Sequence, residues 1–218
     1  MNLRTEAEEN LRVIRSLMEK STIYRAISAP TALVGGLASI IAGVMIHCWW
    51  CMGECSISIA QGVTPNRIQQ FFGVWLCVLF ITGIANTYFI WRGAVLRKEP
   101  FISAGMKMAL LALFPPLMTG GIFTLICHEV LSILAPIWMI CYGLGLIATR
   151  HFSPSSIPRL GWAFLITGLS CFLYFKFTRW DLAIEVHLFA NIIMTATFGL
   201  FHLIYAACTW PRKTSPTS

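Results

Sequence analysis

An all-α, polytopic membrane fold of six transmembrane helices, preceded by an amphipathic helix on the cytoplasmic surface, is what this 218-residue chain predicts. Three observations carry the prediction. Hydrophobic residues make up 57% of the chain and charged residues only 11%, a balance that would leave a soluble domain with far too much apolar surface in water. Six apolar stretches have lengths near the roughly 20 residues that a hydrocarbon core of about 30 Å requires of a helix. Finally, 13 of the 16 Lys and Arg residues fall in alternate connecting segments, the asymmetry from which the positive-inside rule assigns sides.

The chain opens with residues 1–27, where Leu3, Ala7, Leu11, Ile14, Leu17 and Met18 recur at steps of three or four, the period of an amphipathic helix. Thr5 and Glu8 have the spacing of a capping box. Glu6, Glu8 and Glu9 come early and the basic residues late, the order the helix dipole favours. Such an arm is either an interfacial lead-in to the first span or a docking surface for a partner or anionic lipid.

The spans follow at 28–50, 71–91, 106–128, 132–152, 160–177 and 184–209, with a tail at 210–218. Arg4, Arg12, Arg15, Lys20 and Arg25 precede the first span. Arg92, Arg97, Lys98 and Lys107 lie around the second loop, Arg150 and Arg159 in the fourth, and Arg212 and Lys213 in the tail. The opposite segments hold Arg67, Lys176 and Arg179. Both termini are therefore expected in the cytoplasm of a bacterial inner membrane. The formal charge of +7 reflects topology and headgroup contact, and nucleic-acid binding is not needed to explain it. A cleaved signal peptide is not expected, because the first span is too long for a signal h-region. Nor is lipidation of Cys48, which lacks a small residue before it.

Trp49, Trp50, Trp91, Trp162, Trp180 and Trp210 sit at predicted span ends, where an indole meets both lipid and water. Only Trp75 and Trp138 break that pattern. The third span carries Pro115 and Pro116, which remove two backbone donors and predict a bend. It joins the fourth through a tight hairpin around Glu129. GIFTLI at 121–126 and GLFHLI at 199–204 are too short to establish a repeat. In the first span Gly35, Ser39 and Gly43 stand four apart, a small-residue stripe suited to close helix packing, within the chain or between copies in a homo-oligomer.

The sixth span holds the strongest intramembrane pattern. His187, Asn191, Thr195, Gly199 and His202 are spaced four, four, four and three apart. At 100° per residue they share one face, which should turn into the bundle, toward Thr82 and Asn86 on the second span and Thr119 and Thr124 on the third. The expected binding residues are His187, Asn191, Thr195, His202 and Asn86. They line a path for a small polar solute or proton, or they hold helices together by hydrogen bonds. The small-molecule ligand is unassigned. Every Asp and Glu lies outside the spans or at their edges, so the buried carboxylate usual in ion-coupled transport is missing.

A second constellation, HCWWCMGEC at 47–55, crowds three cysteines and a histidine at the outer end of the first span. Cys48 and Cys51 form a Cys-x-x-Cys pair, with Cys55 and Cys127 as relays, that a membrane quinone could re-oxidise in a thiol-disulfide oxidoreductase. His47, His128 and His187 fall near one depth and suit a transition metal or haem. A lone Cys-x-x-Cys is a weak signal, and the leading expectation has no catalytic residue, no metal and no cofactor. Cys77, Cys141, Cys171 and Cys208 read as small hydrophobes. No phosphate loop, Ser-His-Asp order or paired-carboxylate site is present.

Four segments, LRVIRSLMEKSTIY (11–24), PLMTGGIFTL (116–125), YGLGLIA (142–148) and FGLFHLIYA (198–206), resemble a group of bacterial integral membrane proteins of six spans to which no activity is assigned. The resemblance covers most of the chain. It implies the six-span architecture and a shared core containing Gly120, Gly121, Tyr142, Gly143, His202 and Tyr205. HCWWCMGEC lies outside it. The expected function is that of a binding, transport or regulatory component of the membrane that acts without catalysis.

Overall fold

The computed structural model describes residues 8–11, 27–54, 65–98, 100–102, 104–127, 130–177 and 183–210. Six helical spans account for almost all of them: α1 (Ala29–Glu54), α2 (Pro65–Arg97), α3 (Ala104–Cys127), α4 (Leu131–Ala148), α5 (Ser156–Phe177) and a composite sixth span. That sixth span joins α6 (Ala183–Met194), a π-helical segment (Thr195–Phe201) and α7 (His202–Thr209). All six are long and apolar enough to cross a membrane, and among the described residues there is no strand. Helices are the expected solution, because in hydrocarbon each backbone N–H and C=O must be satisfied within its own segment. Of the expected amphipathic arm, only residues 8–11 are described; they are helical and exposed.

Helix bounds differ from the apolar stretches mainly in α2. It begins at Pro65 and runs to Arg97, six residues beyond the expected span at each end. Polar residues such as Asn66, Gln69 and Gln70 extend a helix without penalty where water is available. The α3–α4 hairpin is as tight as expected, with the Val130 N–H donating to Cys127 O at 2.9 Å. Pro115 and Pro116 sit inside α3, which is nonetheless one unbroken helix.

α1, α4, α5 and the sixth span form the packed centre. α2 rests on α1 and α3 rests on α4, while α2 and α3 scarcely meet each other. Burial follows: half of the α1 and α4 windows is buried, but only 11% of α2 and 6% of α3. The outward faces of these two arms are apolar, with Leu79, Phe80, Ile84, Leu111, Leu125 and Ile126 all well exposed, a surface suited to lipid. Glycine sets the tightest central contact. A Cβ on Gly143 would lie 2.7 Å from Gly161 O, and one on Gly161 would lie 2.8 Å from Gly143 O, so only two glycines allow α4 and α5 this close.

Candidate functional site

The π-helical segment determines where the polar residues of the sixth span point. A π turn closes i→i+5 rather than i→i+4, so the 100° step that would keep Asn191 and His202 on one face fails between them. Three side chains complete the altered backbone. Thr195 Oγ1 donates to Asn191 O at 2.7 Å, Thr197 Oγ1 to Ile193 O at 2.8 Å, and His202 Nδ1 to Phe198 O at 2.9 Å.

The expected face is thereby divided in two. Its first part turns to α1: Asn191 is fully buried and its Nδ2 donates to Gly43 O at 2.9 Å. A Cβ on Gly43 would run into the Thr195 side chain, and one on Gly199 would lie 2.7 Å from Ile40. Gly35 likewise abuts Thr82, where an added Cβ would lie 3.0 Å from Cγ2. Ser39 is buried, its hydroxyl donating to Gly35 O at 2.8 Å. The small-residue stripe of Gly35, Ser39 and Gly43 is thus occupied by contacts within the chain. His202, the last member of the face, turns instead to α4. Its Nε2 meets the Tyr142 hydroxyl at 2.8 Å.

Because a carbonyl oxygen only accepts, Nδ1 of His202 must carry a proton to bond Phe198 O. In the neutral ring Nε2 is then the acceptor and Tyr142 the donor. Aromatic rings hold the pair in place: Tyr142 and Phe164 are 4.8 Å apart, Phe164 and Phe198 4.8 Å, and Phe198 stacks on the His202 ring at 6.2 Å.

This pair lies at the wall of a cleft of about 480 Å³ that fills the gap between α2 and α3. α1, α4 and the sixth span form its back, through Ser39, Cys141, Tyr142, Phe198 and His202. Phe72, Trp75 and Thr82 line it from α2, and Gly120, Gly121 and Thr124 from α3. From Phe72 to Thr82 the α-helical rise gives a length of about 15 Å. Leu76, Leu79, Leu117 and Gly121 line it and are themselves exposed, so the cleft opens sideways. Thr82 and Leu79 sit close to the midpoint of α2, and Leu117 close to that of α3, which puts the mouth near the middle of both helices. Among the described residues that line it, none is charged.

Of the expected partners, Thr82 and Thr124 line the cleft. Thr124 Oγ1 donates to Gly120 O and accepts from Trp138 Nε1, both at 2.8 Å. Thr119 does not face it: the residue is exposed and its hydroxyl donates to Pro115 O at 2.9 Å. Asn86 is also absent from the lining, and its buried Oδ1 has no partner among the described residues. The side chain of His187 lies outside the described residues. Trp75 and Trp138 also line the cleft; the sequence signal for them is that they are the two tryptophans away from span ends.

At the far end of α1, Cys48 and Cys51 are exposed free thiols, and Cys51 Sγ lies 3.7 Å from His47 Nε2. Cys55 and His128 fall outside the described residues. Among the described residues no three His, Cys, Asp or Glu side chains gather as metal ligands would.

Six helices long and apolar enough to span a membrane, with a cleft between two of them whose described lining is uncharged, are compatible with a multi-pass membrane protein. No protein-family model matches it, and no curated protein or solved structure is significantly similar to it.

Proposed function

We propose that this protein is a bacterial inner-membrane component that binds a membrane-dissolved molecule in the cleft between α2 and α3, without transforming it chemically, in the service of transport or regulation. The observation that carries this reading is the cleft itself: about 480 Å³, within the range of small-molecule sites, with a sideways mouth that lies at mid-depth when both helices span the bilayer. Its uncharged lining argues against ions, which need paired or coordinating groups inside a bilayer. The polar groups at its wall are few and convergent, as in ligand sites generally. Thr82, Tyr142 and His202 supply the polar part of the wall against which a ligand would rest, and the π segment sets where His202 points. Both termini face the cytoplasm in this reading, by the distribution of Lys and Arg.

The test is to extract protein purified from native membranes with organic solvent and compare by mass spectrometry what travels with it. Gly121→Phe supplies the control, because Gly121 lines the cleft mouth and a Cβ there meets nothing within 4 Å, so the ring is introduced where the ligand would enter. A neutral compound that co-purifies with the native chain and is lost with Gly121→Phe supports the reading; identical extracts overturn it.

A further inference from the structure

We infer that the ligand of the cleft is a membrane quinone: a flat, neutral ring bearing carbonyl oxygens, with an apolar tail that leaves between α2 and α3. This rests on the cleft being a binding site, and adds the class of molecule it takes.

The mouth at mid-depth selects first. A charged headgroup cannot be carried to the middle of a bilayer at acceptable free energy, so what reaches Leu79, Leu117 and Gly121 is already dissolved in hydrocarbon. The uncharged lining makes the same demand from the protein side, since a ligand charge brought here would have no counterion. The walls select next. Phe72, Trp75, Trp138, Tyr142 and Phe198 all line this one space, and aromatic faces favour another ring through offset or edge-to-face contacts over a saturated chain.

Hydrogen-bonding capacity then selects for an oxygen that accepts. The Thr82 hydroxyl lines the cleft and makes no hydrogen bond among the described residues, which leaves its O–H free for a ligand carbonyl. Trp75 is only 5% exposed, yet its Nε1–H has no acceptor among the described residues. An unpaired buried donor is costly, and a second ligand oxygen in the cleft that Trp75 lines is the acceptor assigned to it. Two donors without acceptors, in an aromatic slot, match a ring with two carbonyls better than an alcohol with one hydroxyl. The exposed Leu76 and Gly121 leave a path for the tail.

Quinones quench tryptophan fluorescence, so the full-length protein in nanodiscs is titrated with ubiquinone and menaquinone analogues carrying a single isoprene unit. Native protein and Gly73→Phe should both show saturable quenching; Gly73 is equally open to a new side chain but lies outside the cleft. Half-saturation should rise about tenfold or more in Gly121→Phe and about fivefold in Thr82→Val, the loss of one hydrogen bond. Trp75→Phe should lower the amplitude and also raise half-saturation about fivefold, the loss of the second hydrogen bond. Quenching that is linear in every protein reports bilayer partitioning only and overturns the assignment, as does saturation unaffected by Gly121→Phe. A fluorescent diacylglycerol titrated in parallel separates the two levels. If it binds in a Gly121-dependent way while quinone does not, the quinone is wrong and the cleft remains a site. If neither binds, both readings fall.

Discussion

Tyr142 on α4 and His202 at the start of α7 meet across 2.8 Å, sixty residues apart in sequence, and the second histidine nitrogen is held by the Phe198 carbonyl. The arrangement specifies which nitrogen bears the proton. Nitrogen-15 histidine spectra are expected to show His202 as the Nδ1–H form. In Tyr142→Phe only the Nε2 resonance should move appreciably. An Nε2–H form would refute the assigned direction of both bonds.

Burial separates this histidine from His151, which is exposed and, among the described residues, accepts a side-chain hydrogen bond from its neighbour Arg150. His202→Ala opens a hole in an aromatic cluster and should cost about 3 kcal/mol, as for other large-to-small changes. His151→Ala should stay within about 0.5 kcal/mol. Tyr142→Phe should cost about 1 kcal/mol or less. Unfolding in mixed micelles measures all three, and equal losses for His202→Ala and His151→Ala would show that the cluster contributes nothing.

Close approach of α1 to the sixth span depends on Gly43. Valine there would push Thr195 away and strain the Asn191–Gly43 bond, at a cost of about 1–3 kcal/mol as in other overpacked sites. Gly73→Ala, where the added methyl meets nothing within 4 Å, is the matched control and should change stability by less than about 0.5 kcal/mol. A Gly43→Val protein as stable as Gly73→Ala would mean that the two helices can separate freely.

The six spans were legible because hydrophobicity over about 20 residues has few other outcomes. Each expected stretch overlaps one of the six helices, and the excess length of α2 lies in PNRIQQ and RGAVLR, segments whose Asn, Gln and Arg residues end an apolar window. Part of the lining of the candidate cleft was legible. His202, Thr82 and Thr124 were singled out for being polar within a span, and Tyr142 entered through resemblance. Asn86 was polar within a span too, yet lies outside the cleft, because polarity alone does not say which neighbour a side chain faces. The π segment was not legible at all. TATFGLF carries no marker for an i→i+5 turn, and a face spaced at a uniform 100° step is broken by it. Trp75 and Trp138 could have been found, since an indole away from the interface needs a local reason.

The thiols at the far end of α1 offer an independent test. Cys48 and Cys51 are exposed and free, so both should alkylate completely in purified protein without prior reduction. Mass analysis of the peptide containing them decides it. A disulfide that blocks alkylation, and that quinone restores after reduction, would instead place thiol exchange at this end and make the chain an oxidoreductase.

Thr197 links the unusual backbone to the site. It is buried, and its hydroxyl donates to Ile193 O at 2.8 Å with Met194 O at 3.4 Å. Valine has nearly the same shape but no hydroxyl, so Thr197→Val removes the donor and leaves the packing. The expected loss is about 1 kcal/mol, concentrated in the segment whose ordinary ladder is replaced. If the π turn holds His202 toward α4, the variant should also perturb the His202 Nε2 resonance, although Thr197 touches neither His202 nor Tyr142 through any hydrogen bond in the structure. Thr197→Ser, which restores the hydroxyl, should return the resonance to its native position. Loss of stability with an unmoved resonance would mean that the segment supports the fold without orienting the histidine.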